Sequence, residues 1–344
     1  MAQQSKWGSI IAGVTALLIC VATLTPGTPP TAAEIAACSG WCTDSLVADF
    51  ARNIILFLPL GFGLRMAGVR PGRALLVGAC LSAAVEILQI RVIVGRDASF
   101  LDWISNSLGT MTGVVIATHG SILIRPRSQT AAALSLVALG LWLGILLLGA
   151  WGIQPAPSSD PYWGQRAPQL GDSPQFLGEL LSARVNDVEI PSERMANDDA
   201  IRGPLGDGRV RVEAIVRPGP PPPPAGIAPI VRIADGAERE IVLLGRGGKE
   251  LVFRVRLRAS MLRLETPAFA LAGAFRDGGN FEPETVESPE SLFAVVDRGR
   301  VRLAARGDGE ARSREYELSP AVAWSFFLPW DYWFGPNAAW ISHV

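Results

Sequence analysis

The 344-residue chain has few of the side chains that most often build metal centres and nucleophilic triads, since it contains only two histidines and four cysteines. This scarcity argues against a metal site and a histidine-based triad, and we expect no metal and no cofactor. Charged residues make up only 18% of the chain and the formal net charge is -1, which gives no general case for nucleic-acid binding. Any chemistry must therefore come from carboxylates, carboxamides and arginines.

Apolar residues, in contrast, are abundant at 49% of the chain. A bilayer core of roughly 30 Å needs about 20 apolar residues per helix. Five stretches meet this requirement: 7–24, 50–66, 74–92, 101–124 and 130–151. The first could instead be a signal peptide that begins with Lys6, but its apolar run is long and no clean cleavage site follows, so we interpret it as an uncleaved helix. Residues 1–152 are thus predicted to form an α-helical transmembrane bundle of about five helices.

The second half of the chain has a different pattern. Residues 153–173 are rich in proline, serine and glutamine and are interpreted as a linker or a loose first strand. From 174 to 320, short runs of alternating apolar and polar residues are separated by Gly/Asp turns, as in 210–217 and 253–258. This pattern predicts an antiparallel β-sandwich with one solvated face per sheet.

The last segment, 321–344, is unusually aromatic. An aromatic belt at the membrane interface is the favoured interpretation, and a platform that stacks against glycans is the alternative. Either the β-domain ends docked on the membrane here or the sequence is truncated.

Lysine and arginine in the short loops favour a cytoplasmic N-terminus, which places the β-domain outside the cytoplasm. Cys38 and Cys42 then fall in the first outer loop, where an oxidising compartment would allow a disulfide. Half of a zinc site is the alternative, but no second cysteine pair or histidine accompanies them.

Polar residues interrupt three of the apolar helices at similar depths. Acid and amide groups three or four residues apart share a helix face, and an arginine lies in the loop between the third and fourth helices. Ionisable groups at mid-membrane cost roughly 2.5 to 3.5 kcal/mol each, so they suggest a functional site by default. The predicted binding residues are Asp49, Asn53, Glu86, Gln89, Arg96, Asp102 and Asn106. In the alternative interpretation, Asp49 and Asp102 are only helix N-caps, and Glu86 forms a structural ion pair with Arg96.

The segments "DFARNIILFLPLGFGL", "SAAVEILQ" and "GRDASFLDWISNSLGTMTG" resemble the VanZ-like membrane domain over roughly residues 7–125. The resemblance implies a bacterial multi-pass protein, in a family whose founding member is associated with resistance to the glycopeptide teicoplanin. It supplies no reaction. The matching residues are Asp49, Asn53, Phe57, Pro59, Gly61, Glu86, Gln89, Arg96, Asp102, Asn106 and Gly109.

The β-domain is similar to concanavalin A-like or laminin G-like jelly rolls through segments such as "VRVEAIVRPG" and "LVFRVRLRASMLRLETP". Such folds often bind carbohydrate, although fold alone does not decide function. The arginines of 253–258 could contact anionic glycans or phosphate, or could form a solvated sheet face.

Together these features predict a protein of the bacterial cytoplasmic (inner) membrane that contacts the lipid bilayer and binds, or helps to process, a lipid-linked or surface glycan. In an enzymatic version, Glu86 or Asp102 acts as general base and Arg96 holds an anionic head group. The alternative is a non-catalytic scaffold that presents a lectin-like domain outside the cytoplasm. The hypothesis of small-solute transport is weakened, because the helices show no internal repeat of the kind that transporters often carry.

Overall fold

The computed structural model separates the chain into two compact units, residues 1–143 and residues 144–344. The residues it describes are 2–24, 46–93, 99–171, 173–223, 226–262, 264, 266–275, 288–307, 310–327 and 333–334. Cys38, Cys42 and Arg96 lie outside these residues, and so does the predicted disulfide.

The described residues in the N-terminal part of the chain form five long helices. They are α1 (Ala2–Leu24), α2 (Leu46–Met66), α3 (Pro71–Arg91), α4 (Phe100–Ile124) and α5 (Ser128–Gly152). Among the described residues, four segments are long and apolar enough to cross a membrane: Ser5–Leu24, Val47–Met66, Pro71–Arg91 and Ser128–Gly152. Helix α4 is 25 residues long and carries Asp102, Ser105, Asn106 and Ser107 in its first half. The predicted span 101–124 is therefore helical, but polar at its start.

Glycines allow α2 and α4 to pack with their backbones almost in contact. A Cβ atom on Gly113 would lie 2.0 Å from the carbonyl oxygen of Leu58, and one on Gly109 would lie 2.5 Å from that of Ile54. Side chains this small let transmembrane helices approach closely, and van der Waals packing then holds them together. Helix α2 continues through Pro59. This close crossing brings the polar residues of α2 and α4 within reach of each other.

The second unit contains two six-stranded sheets that face each other across one apolar core. The strands of the first sheet, in spatial order, are β1 (Tyr162–Arg166), β5 (Ala228–Asp235), β6 (Glu240–Gly247), β7 (Glu250–Val255), β8 (Ala268–Leu271) and β12 (Trp333–Phe334). Those of the second are β11 (Glu310–Glu317), β10 (Arg300–Gly307), β9 (Glu290–Asp297), β4 (Arg209–Arg217), β2 (Glu179–Val185) and β3 (Val188–Glu189). A short helix, α6 (Asp199–Gly206), lies between β3 and β4. All described strand pairs are antiparallel except β8 with β12. The predicted helical bundle followed by a β-sandwich is thus confirmed.

The two sheets differ in how they are covered. On β4 of the second sheet, buried residues such as Val210 and Val212 alternate with exposed arginines, as the sequence pattern predicts. On the first sheet, β5 and β6 are buried on both faces. Its second face carries a separate apolar cluster that includes Leu243 and Val252 and packs against Leu170. The prediction of one solvated face per sheet is therefore wrong for the first sheet, because a loop residue distant in sequence contributes to its cover.

The stretch 153–173, interpreted as a linker or loose first strand, belongs to the folded β-unit. Ile153 is in its core, the amide of Ala156 donates to Arg256 O at 3.0 Å, and strand β1 pairs with β5. The last turns of α5 belong to the same unit. A Cβ on Gly152 would lie 2.9 Å from the ring of Phe326.

Two further segments differ from the sequence pattern. The alternation predicts a strand through Arg258 and another at "MLRLETP", but β7 ends at Val255 and a 3₁₀ helix spans Arg258–Leu262. That helix begins where the amide and the hydroxyl of Ser260 both donate to Leu257 O, at 3.0 and 2.7 Å, which closes a turn. In the aromatic segment, the 3₁₀ helix Pro320–Phe327 packs Phe326 and Trp324 onto the sandwich core. Of 328–344, only Trp333 and Phe334 are described, as β12.

Candidate functional site

The polar residues predicted on α2 and α4 meet in the structure. Asn53 Nδ2 donates a hydrogen bond of 2.8 Å to Asp102 Oδ1, and this bond joins the two helices. Asp49 forms an ion pair with Arg52, one turn further along α2. Asp102 lies two residues inside α4, and it is the Ser99 hydroxyl, at the residue before the helix, that accepts the amide of Leu101 at 3.2 Å. Asp102 is therefore an interhelical partner rather than only a cap.

Helix α3 bonds to the start of α4 through Glu86 and to α1 through Gln89. The Glu86 carboxylate accepts the backbone N–H of Ser99 at 2.9 Å, just before α4 begins. Gln89 Nε2 donates to the carbonyl oxygen of Thr23 on α1 at 2.9 Å. The polar side chains of three helices are thus bonded to neighbouring elements of the bundle, and α1 contributes a backbone acceptor.

Asn106 is the most deeply buried of the predicted residues, with 3% of its surface exposed. Its Nδ2 donates to Ser82 Oγ on α3 at 2.9 Å. Its Oδ1 is buried and has no hydrogen-bond partner among the described residues. A buried acceptor left unpaired costs about 1 to 3 kcal/mol, a cost that a donor from a ligand or water would offset.

The structure adds buried hydroxyl residues that sequence reasoning missed. Ser82 and Thr110 are fully buried, and the Thr110 hydroxyl donates to Asn106 O at 3.0 Å. The spacing in the sequence indicates Ser82, since it lies four residues before Glu86 and seven before Gln89 and thus shares their helix face. Thr110 likewise follows Asn106 by four residues.

The site is rich in hydrogen-bond acceptors. Two carboxylates, on Glu86 and Asp102, are half-buried, and the free oxygen of Asn106 is a third acceptor. Among the described residues, no group of three or more His, Cys, Asp or Glu side chains is arranged to hold a metal ion. Acceptors of this kind suit a ligand that donates hydrogen bonds.

The arginine-rich strand of the sandwich does not offer a free basic face. Arg254 pairs with Glu240 at 2.8 Å, and Arg256 pairs with Asp235 at 3.3 Å. Both arginines are largely buried, and their charges are compensated within the first sheet. The predicted contact of this strand with anionic glycans has no support from this geometry.

Apolar helices of membrane-spanning length, followed along the chain by a β-sandwich, indicate the class of a membrane protein with a large folded domain. The VanZ/LLP1 family model matches residues 14–124, which include α2, α3, α4 and every described member of the polar cluster. The match does not extend into the β-sandwich. No curated protein matches the chain, and no solved structure does.

Proposed function

We propose that this chain is a multi-pass protein of the bacterial cytoplasmic membrane that binds a lipid-linked or surface glycan at the polar cluster of its helical unit. The observation that carries the proposal is the buried, unpartnered Oδ1 of Asn106 within apolar helices. An unsatisfied polar group in such surroundings is costly to keep, and a bound donor would satisfy it.

The class of ligand follows from the acceptors around Asn106. Sugar hydroxyls can donate to its carboxamide and to the carboxylates of Glu86 and Asp102. A lipid anchor would let such a head group reach the helices from within the bilayer. The match to the VanZ/LLP1 family model, whose founding member is associated with teicoplanin resistance, supports a role in the cell envelope.

The orientation and chemistry belong to the same proposal. The arginine and lysine distribution favours a cytoplasmic N-terminus and an extracytoplasmic β-unit. Arg96, which lies outside the described residues, would contact the anionic part of a lipid-linked head group. If the protein also modifies its ligand, Glu86 or Asp102 is the candidate general base.

Native mass spectrometry of the full chain in detergent would test the proposal. The probes are undecaprenyl diphosphate bearing a disaccharide and the same lipid without sugar. We expect the wild type to retain the glycosylated lipid preferentially, and Asn106→Ala to lose that preference. Ser9→Ala is the matched control, because Ser9 is exposed and bonds only within its own helix. Equal retention of both lipids by the wild type would refute glycan binding at this site.

A non-catalytic scaffold is the second candidate, favoured by the bonds from Asn53 to Asp102 and from Gln89 to Thr23 O. Such bonds hold helices together whether or not a ligand is present. The two candidates predict different results for Glu86→Ala and Asn106→Ala in cells. Loss of an envelope phenotype at normal membrane abundance supports a binding site, whereas loss of abundance supports a scaffold.

A further inference from the structure

The outward face of the second sheet carries a cleft that is separate from the candidate site in the helices. Its volume is about 400 Å³, and it lies over strands β2, β3, β4 and β9. Small-molecule sites typically occupy roughly 300 to 1,000 Å³. The cleft is therefore large enough for a ligand rather than a few waters.

Strand register explains which side chains line the cleft. Arg184 on β2, Glu213 on β4 and Phe293 on β9 are direct neighbours across the sheet and form one row. Two residues along each strand, on the same face, the next row consists of Ser182, Ile215 and Ser291. One row thus supplies charge and an aromatic ring, and the other supplies two hydroxyls beside an aliphatic side chain.

The charges in the cleft are mixed in sign. Glu213 forms an ion pair with Arg211, and Glu189, at the cleft edge, pairs with Arg166 at 3.6 Å. Arg184 is exposed and has no described partner. Because two carboxylates flank Arg184 on the neighbouring strands, a strongly anionic ligand would meet like charge on both sides.

A neutral sugar ring fits this combination of groups. Its hydroxyls can donate to Glu213, accept from Arg184 and do either with the two serines, while its C–H face can cover the partly exposed ring of Phe293. The first row continues across the sheet through Ala304 on β10 and Ser313 on β11, which are small. A polysaccharide that follows this row across five strands about 4.8 Å apart would span roughly 19 Å, which is the length of several linked rings.

We propose that this cleft binds a neutral polysaccharide chain, with Phe293 and Ile215 as its floor and Arg184, Glu213 and the two serines as its polar contacts. The site lies entirely within the β-unit. It does not depend on the helical cluster, so either proposal can fail while the other stands.

The test measures calorimetric binding of neutral hexasaccharides of glucose, mannose and galactose to the full chain in phosphatidylcholine nanodiscs. At least one should bind, and Arg184→Gln and Phe293→Leu should each weaken it about tenfold or more, as expected for the loss of a charged hydrogen bond or a stacking ring. Phe293→Leu retains most of the side-chain volume, which protects folding. Arg300→Gln should leave binding unchanged, because Arg300 lies on the same face outside the cleft and contacts Glu315.

A chain-length comparison sharpens the test. Ala304→Gln should weaken a hexasaccharide but spare the corresponding disaccharide, because it fills the groove only beyond Phe293. Failure of every neutral hexasaccharide to bind the wild type at millimolar concentration would overturn the proposal. Binding that all the cleft variants retain would do the same, as would tighter binding of hexagalacturonate. Asn106→Ala should leave this affinity unchanged, which separates the result from that of the helical site.

Discussion

Asn53 on α2 and Asp102 on α4 are joined by a hydrogen bond of 2.8 Å between Nδ2 and Oδ1, although they are 49 positions apart in the chain. The whole of α3 lies between them in the chain. Its residue Glu86 accepts a hydrogen bond from the amide of Ser99, just before α4 begins. The same contacts that hold the three helices together thus also define the polar cluster.

Coupling between Asn53 and Asp102 gives the first prediction. In a double-mutant cycle of Asn53→Ala and Asp102→Ala, the free energies of unfolding in mixed micelles should be non-additive by about 0.5 to 2 kcal/mol, as found for hydrogen bonds between transmembrane helices. The cycle of Asn53→Ala with Ser9→Ala serves as the control and should be additive. A coupling of zero would mean that the bond contributes nothing to the bundle.

The crossing of α2 and α4 gives the second prediction. Gly113→Ala places a methyl group 2.0 Å from Leu58 O and must push the helices apart, so we expect a loss of about 1 to 3 kcal/mol in the free energy of unfolding. Gly120→Ala, on the same helix, meets nothing within 4 Å and should be neutral or slightly stabilising. Equal effects of the two substitutions would contradict the close crossing.

Much of the helical cluster could be predicted, because residues three or four apart on an α-helix must share a face. This rule places Asp102 with Asn106, and Glu86 with Gln89, from their spacing alone. It could not identify the partners, since the acceptor of Gln89 is a backbone carbonyl on α1. Ser82 was missed because a serine in an apolar helix carries no charge to mark it.

In the sandwich, period-two alternation predicted β4 closely. It failed at Arg254 and Arg256, where exposed-looking arginines are compensated by Glu240 and Asp235. Such pairing depends on register between strands, which alternation alone does not specify. The cleft beside Phe293 also depends on strand register, because its lining residues become neighbours only when β2, β4 and β9 pair.

Asp235 gives the third prediction, which concerns pH. Its side chain is fully buried, and burial alone would raise the pKa of its carboxyl; however, hydrogen bonds from Ser158, Arg239 and Ala237 lower the pKa below its ordinary value. Because the pKa is lower in the folded state, the carboxylate stabilises the fold above the unfolded value of about 3.9 and loses this effect as pH falls through the folded pKa.

Asp235→Asn should therefore cost about 3 to 5 kcal/mol near neutral pH, since it leaves Arg239 and Arg256 without their shared carboxylate. The loss relative to wild type should shrink as pH falls below about 4. Near-ultraviolet circular dichroism during thermal unfolding of the full chain, from pH 3 to 7, would measure this. Asp297→Asn, at an exposed position on β9, is the control and should stay within about 0.5 kcal/mol of wild type.

Arg246 gives the fourth prediction, because its guanidinium bonds to the first residues of the proline-rich loop between β4 and β5. It is 2% exposed, donates to Pro218 O and Gly219 O at 2.9 Å each and to Gly248 O at 2.8 Å, and lies 4.6 Å above the ring of Phe275. A planar fork of donors can reach several carbonyls at once and stack on a ring, whereas an ammonium group cannot reproduce this geometry.

Arg246→Lys should therefore destabilise the β-unit by about 2 kcal/mol or more in thermal unfolding of the full chain, even though the charge is retained. Arg209→Lys is the control: its guanidinium is exposed and its one described partner is Asp207, so the change should stay within about 0.5 kcal/mol. If the two lysine variants unfold alike, charge rather than geometry holds the loop. Both variants preserve the charge, but only position 246 is surrounded by buried carbonyl groups. The difference between their losses of stability therefore measures what the guanidinium fork contributes.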